Sequence, residues 1–302
     1  MQLILYFLTI IMCFNLTSAA SSQLEFTNFE QQAEVPALPE KNYGDVAITR
    51  GTNAKKSWPF FTALYYTGFS KRHPNCGAVL IHKRFVITAA HCFGKQRWFS
   101  KQDLNKYYVN IGMSDTKRRD GIKRHLKKIR IHPDFEYRGR IGVPYNDIAL
   151  LELVKEVDVE PVLLPNRELP YFGKTVTVQG FGATKDRLSI YDSNYDPSLP
   201  RLIQETKLIV DSARSCAWND KRPDFSMLCT REIDDGSQTC IGDSGGPVIF
   251  EDQQKQYVIG LVSWSPTGRC GMHEPNYLTK VVKFNDWINR MIEYYSQIQS
   301  SE

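Results

Sequence analysis

From Ile48 onward the chain is a succession of short apolar runs broken by turn residues, and this pattern constrains the fold more than any other feature. The runs fall at 60–66, 78–81, 85–90, 107–111, 129–131 and 148–154, then at 175–179, 202–210, 248–250 and 257–264. Gly, Asn, Asp and Pro separate many of them. Runs this short and this evenly spaced predict an all-β barrel or sandwich. Pro247 stands just before one run, where a strand's edge tolerates a proline. Only the end of the chain changes period. Val281, Val282, Phe284, Trp287, Ile288, Met291 and Ile292 recur at near-helical spacing, which predicts an amphipathic C-terminal α-helix packed on the body. With 302 residues, 42% hydrophobic and 24% charged, the chain has the balance of a globular protein with a sizeable core.

The first twenty residues read differently. Residues 3–14 are almost wholly apolar, and Thr17-Ser18-Ala19-Ala20 follows with the small residues that a signal peptidase accepts. The run falls short of the ~20 residues that cross a bilayer, so residues 1–20 are expected to be a cleaved export signal rather than an anchor. No later stretch is long and apolar enough to span, so the mature chain is expected to be secreted and free of the membrane. Of seven cysteines, Cys13 goes with the signal. The remaining six are Cys76, Cys92, Cys216, Cys229, Cys240 and Cys270. An even number suits three disulfides in an oxidising compartment, although six cysteines alone allow about 15 pairings. None shows the close paired spacing of a zinc site, and no metal is expected.

Charge is unevenly spread. Residues 21–47 carry five acids against Lys41, with Pro36 and Pro39, and read as a flexible acidic pro-segment. Residues 113–132 hold eight bases against Asp115 and Asp120. Two readings of that stretch stand side by side: a solvated strand pair, or a surface for a polyanion. Export and disulfides argue against nucleic acid as the partner. Residues 183–201 are polar, contain Pro197 and Pro200, and read as an exposed loop.

Three segments carry chemistry: Thr88-Ala89-Ala90-His91-Cys92, Asn146-Asp147-Ile148-Ala149, and Gly242-Asp243-Ser244-Gly245-Gly246-Pro247. A serine hydroxyl is a poor nucleophile at neutral pH. It needs a base within hydrogen-bond reach, and the base needs an acid to orient it. His91 is the candidate base, Asp147 the orienting acid and Ser244 the nucleophile. The N–H groups of Gly242 and Ser244 are candidates for an oxyanion hole, where each donor is worth roughly 3 kcal/mol. Taken singly, a histidine is usually structural, a buried aspartate pairs with a base, and a glycine-rich segment is a turn.

In the order His, Asp, Ser, these segments resemble those of the chymotrypsin/trypsin family. The resemblance extends from about Ile48 to Ile292 and takes in Trp58-Pro59, Cys76-Gly77, Gly180-Phe181-Gly182, Ser263-Trp264 and Leu278-Thr279-Lys280-Val281. It implies one protease domain over 48–302, built as two packed six-stranded antiparallel β-barrels with a C-terminal helix. It also implies a triad in the cleft between the barrels and the disulfides Cys76–Cys92, Cys216–Cys229 and Cys240–Cys270. The implied activity is cofactor-free hydrolysis of protein or peptide substrates through an acyl-enzyme. Ser263 is then expected to open the segment that pairs with extended substrate backbone, with Trp264 beside it.

The chain departs from the family at three places. The position implied for the base of the specificity pocket is Gln238, where trypsin-like members carry Asp. The implied wall positions, often glycine, are Ser265 and Asn276, which narrow the pocket. A small or neutral residue before the scissile bond is therefore expected rather than Lys or Arg. Family zymogens are cut so that a new amino group pairs with the Asp before the nucleophile. The matching residues here are Ile48 and Asp243, but Ala47 precedes the cut, so an activating protease that accepts small residues is expected. The acidic ligands of the calcium loop seen in some relatives are replaced within 113–132. These departures keep a second expectation open: a catalytically silent homologue acting as a binding or regulatory scaffold.

Overall fold

The apolar runs close into two rings of strands. The computed structural model describes residues 48–300 apart from 69–71, 141, 185–198, 213, 217–223 and 234–235. The expected signal and pro-segment, and most of the predicted loop at 183–201, lie outside the described residues.

The first ring follows a two-residue strand β1 (Thr52–Asn53) and consists of β2 (Phe61–Tyr66), β3 (Cys76–His82), β4 (Phe85–Thr88), β5 (Tyr107–Ile111), β6 (Ile122–Ile131) and β9 (Ala149–Leu153). They pair antiparallel in the order β2-β3-β4-β9-β6-β5 and close. The short strands β7 (Glu136–Arg138) and β8 (Val143–Tyr145) form a separate hairpin. The second ring is β10 (Thr175–Gly180), β11 (Gln204–Asp211), β12 (Met227–Glu232), β13 (Pro247–Asp252), β14 (Lys255–Trp264) and β15 (Asn276–Lys280). Its order is β11-β10-β13-β14-β15-β12, closed by β12 against β11, with β1 added outside β11. The expected pair of six-stranded antiparallel barrels is what the structure has.

Strand β2 shows why its run lacks the polar/apolar alternation of a half-exposed strand. Leu64 points into the first barrel's core. Phe61, Ala63 and Tyr65 pack on the other side with Met113, Phe181 and Ile203, and the Phe61 and Phe181 rings lie 5.8 Å apart. Both faces are buried, so both are apolar. Truncating a ring such as Phe61 to Ala would cost about 3–5 kcal/mol.

The chain's end folds as a 3-10 turn (Val281–Phe284) and then the helix α2 (Asn285–Ser300); a four-residue helix, α1 (Lys101–Leu104), precedes β5. Trp287, Ile288 and Tyr295 bury into the large cluster that includes Phe85, Ile81 and Leu153. The predicted helix is present, with its first turn wound more tightly. Strands β12 and β15 carry no run of their own in the sequence, because Thr230, Asn276 and Thr279 are polar yet buried.

Residues 113–132 divide into a loop and strand β6. In the loop both acids turn inward. Asp120 accepts from the Ser114 and Asp115 N–H groups, and Asp115 is held by the Arg201 guanidinium at 2.7 and 3.1 Å. The Arg201 hydrogen bonds and charge keep Asp115 well below the usual carboxylate range. A guanidinium from outside the stretch thus ties the loop down. In β6, Lys127 reaches Glu152 at 3.3 Å, while Lys123 lies over the Tyr108 ring and Lys128 over Tyr295. Among the described residues no three His, Cys, Asp or Glu side chains converge as a metal would require, and no helix is long and apolar enough to cross a membrane.

Candidate active site

Residues from both barrels meet at one carboxylate. His91 lies on the 3-10 turn Ala90–Phe93 that ends β4. Asp147 stands just before β9, after Asn146 in a left-handed conformation (φ 50°), which asparagine tolerates better than most residues. That turn aims the Asp147 side chain at His91. His91 Nδ1 lies 2.7 Å from Asp147 Oδ2, and the His91 backbone N–H donates to Oδ1 at 2.8 Å. From the second barrel, the Ser263 hydroxyl donates to Oδ2 at 2.6 Å, and Thr279 Oγ1 donates to the Asp147 carbonyl at 2.7 Å.

Asp147 is only 2% exposed. Burial alone would raise its pKa, but the His91 charge and the hydrogen bonds from His91 and Ser263 outweigh burial and hold it below the ordinary value. For His91, desolvation works downward while the Asp147 charge and hydrogen bond work upward, and the net direction is up. The arrangement orients the imidazole through Nδ1 against a fixed anion, as a general base requires.

Ser244 sits in the turn before β13. The Gly77 N–H donates to its carbonyl at 2.8 Å, and Cys92 Sγ lies 3.8 Å from that oxygen, which brings Ser244 beside the His91 turn. Among the described residues no hydrogen bond joins Ser244 Oγ to His91, and neither the Gly242 nor the Ser244 N–H has an acceptor. Catalytic hydrogen bonds are commonly loose without substrate. Gly242 has φ 102°, a conformation that an L side chain resists.

Asp243 is 1% exposed and, among the described residues, has no cation beside it. Its carboxylate accepts the Gly182 and Cys240 N–H groups, both at 2.8 Å. Burial pushes its pKa up to about 7 against those two hydrogen bonds. The segment Gly180-Phe181-Gly182 makes the room: a Cβ on Gly180 would come 2.0 Å from Asp243 Oδ1, and one on Gly182 would come 2.3 Å from Oδ2. Ile48 is fully buried in the second barrel's core with φ 50°, an outlying conformation for a β-branched residue.

Beside Ser244 opens a pocket of about 270 Å³, whose lining includes Ser263, Trp264, Ser265, Thr239 and Asn276 and, among the described residues, no charged side chain. Gln238 is not part of that lining. Its backbone pairs with Thr49, its Nε2 donates to the Glu274 carbonyl at 2.8 Å, and its Oε1 accepts the Gly271 N–H at 3.1 Å. In its place Thr239 Oγ1 donates to Asn276 Oδ1 at 2.6 Å. Neither Thr239 nor Thr279 carries a signal of its role in the sequence, since one only follows Gln238 and the other lies within Leu278-Thr279-Lys280-Val281. Trp264 stacks on Tyr277 with centroids 4.2 Å apart. The disulfides are Cys76–Cys92, Cys216–Cys229 and Cys240–Cys270; the first braces the His91 turn and the last flanks the pocket.

The chain and its fold have known counterparts. The family model described as Trypsin matches residues 48–288. The chain belongs to the trypsin family. It is 34% identical over 260 residues to mouse kallikrein 1-related peptidase b5, covering 81% of this chain and 89% of that one. It is 31% identical over 261 residues to mouse vitamin K-dependent protein C, covering 82% of this chain but 52% of that protein, and so spans about half its length. Among solved structures it is similar to neuropsin, a serine protease of mouse brain, with a TM-score of 0.64 and 25% identity, covering 81% of this chain and all of that one. As a trypsin-family chain, the protein is a serine endopeptidase that acts on protein substrates.

Proposed function

We propose that this trypsin-family chain is exported as a zymogen and hydrolyses peptide bonds through Ser244, His91 and Asp147. The observation that carries the reading is the buried Asp147 carboxylate, which takes hydrogen bonds from His91 Nδ1, the His91 backbone and Ser263 together. An imidazole fixed in this way presents Nε2 as a base. Ser244 Oγ attacks the substrate carbonyl as its proton passes to His91 Nε2. The Gly242 and Ser244 N–H groups receive the negative oxygen, and the proton then goes to the leaving amine. Water repeats the sequence on the acyl-enzyme and frees the acid product. Ser263 and Trp264 border the substrate backbone. The pocket with Ser265 and Asn276, uncharged among the described residues, suits a neutral residue before the scissile bond rather than Lys or Arg.

Activation follows from two strained features of the uncut chain: the left-handed Ile48 and the Asp243 carboxylate without a cation. Cutting after Ala47, by a protease that accepts small residues, releases an ammonium group at Ile48 for Asp243. In this reading residues 1–20 are the export signal, 21–47 the acidic pro-segment and 48–302 the protease. The outward bases of 113–132, whose two acids are turned inward, suit a polyanion; retention on heparin that did not weaken with salt would refute that part.

The deciding experiment is labelling with an organophosphonate. Secreted protein with Ile48 at its N-terminus should be labelled, and the Ser244→Ala variant should not. Absence of label on such protein would favour the binding-scaffold reading.

A further inference from the structure

The pocket beside Ser244 holds a hydrogen-bonding group with nothing to bind. Asn276 is 3% exposed and lines the pocket. Its Oδ1 is taken by the Thr239 hydroxyl at 2.6 Å, which spends that hydroxyl's proton. Its Nδ2 is buried and has no partner among the described residues. A buried N–H without an acceptor is costly to keep and is normally satisfied. Gln238 does not line the pocket, and each end of its amide bonds the 271–274 backbone.

We infer that Asn276, oriented by Thr239, makes this pocket a reader of side chains that end in an uncharged hydrogen-bond acceptor, glutamine or asparagine, on the residue before the scissile bond. The inference rests on the endopeptidase reading above. An amide carbonyl entering the pocket accepts from Nδ2 and satisfies it. An apolar side chain of the same size leaves Nδ2 as unpaired as before. Lysine and arginine bring donors to a donor, and among the described residues no carboxylate lines the pocket to receive their charge. Glutamate and aspartate offer an acceptor but bury a charge with no cation in the lining, so they rank below the amides.

The test uses the full chain carrying Ala47→Arg, cut at Ile48 with trypsin that is then removed, and matched peptides that differ only at the residue before the cleaved bond. Glutamine should exceed methionine, and asparagine should exceed leucine, by about tenfold in kcat/KM, the scale of one hydrogen bond to a buried group. Asn276→Leu should bring both ratios to about one. Asn276→Asp keeps the shape, replaces the donor by an anion, and should turn the preference to Lys and Arg, which keeps the test decisive if the Leu variant does not fold. Equal cleavage of amide and apolar peptides by wild type, a wild-type preference for Arg, or a labelled enzyme that leaves every amide-ended peptide intact would each overturn the inference while leaving the endopeptidase reading standing. An unlabelled Ser244 would instead remove that reading and the inference with it.

Discussion

The Asp243 carboxylate makes a strong prediction about the uncut chain. It is fully buried, its partners are two backbone N–H groups, and burial raises its pKa from 3.8 to about 7. In the unfolded chain it returns to an ordinary value, so between those limits the folded protein binds the extra proton. The stabilising effect of that proton is complete below pH about 4 and is lost as pH rises through about 7. At 1.36 kcal/mol per tenfold, the loss is on the order of 4 kcal/mol, a large share of a typical domain's stability. Replacing the group with Asp243→Asn removes the titration while keeping the shape, at the price of one mismatched N–H. The assay is urea unfolding of uncut wild type and Asp243→Asn, followed by tryptophan fluorescence from pH 4 to 8. The stability difference between them should swing by about 4 kcal/mol in favour of the variant as pH rises. Chain cut at Ile48, where an ammonium group becomes available, should lose most of this pH dependence. A difference that stays constant across the range would refute the reasoning.

Two further outcomes follow from the same site. In Ser244→Ala, the His91 imidazole should titrate above 6.5 by NMR and should drop below 6.5 when Asp147→Asn is added, because only burial then acts on it; an unchanged value would dissociate His91 from Asp147. Gly182→Ala would put a methyl group 2.3 Å from Asp243 Oδ2, so it should cost at least ~2 kcal/mol in urea unfolding and abolish labelling of Ser244, and a neutral effect would mean that the carboxylate can move aside.

The segments of the candidate site could be placed from the sequence because each is short and contiguous. His91, Asp147 and Ser244 each end or precede a strand, and strands of this kind announce themselves by apolar runs. What the sequence hid depends on pairs far apart along the chain. Arg201 meets Asp115 across 86 positions, and Gln238 meets Glu274 across 36, so neither pairing leaves a local trace. With Gln238 turned toward the 271–274 backbone, Thr239 joins the expected Asn276 in the pocket's polar wall. Strands β12 and β15 leave no apolar run for a different reason. Each is hydrogen-bonded on both sides within a closed barrel, so the ladder satisfies the backbone and Thr230 and Thr279 are buried without an apolar pattern.

Asp147 is gripped from two sides, by His91 on the first barrel and by Ser263 and Thr279 on the second. In the proposed mechanism, proteolytic competence is therefore a report on assembly. Expressed as two polypeptides parted in the connection between β9 and β10, the first half would carry a histidine and an aspartate without their outer clasp, and the second a serine without its base. Hydrolysis would return only when the halves met, and such a pair would act as a coincidence detector for whatever brought them together.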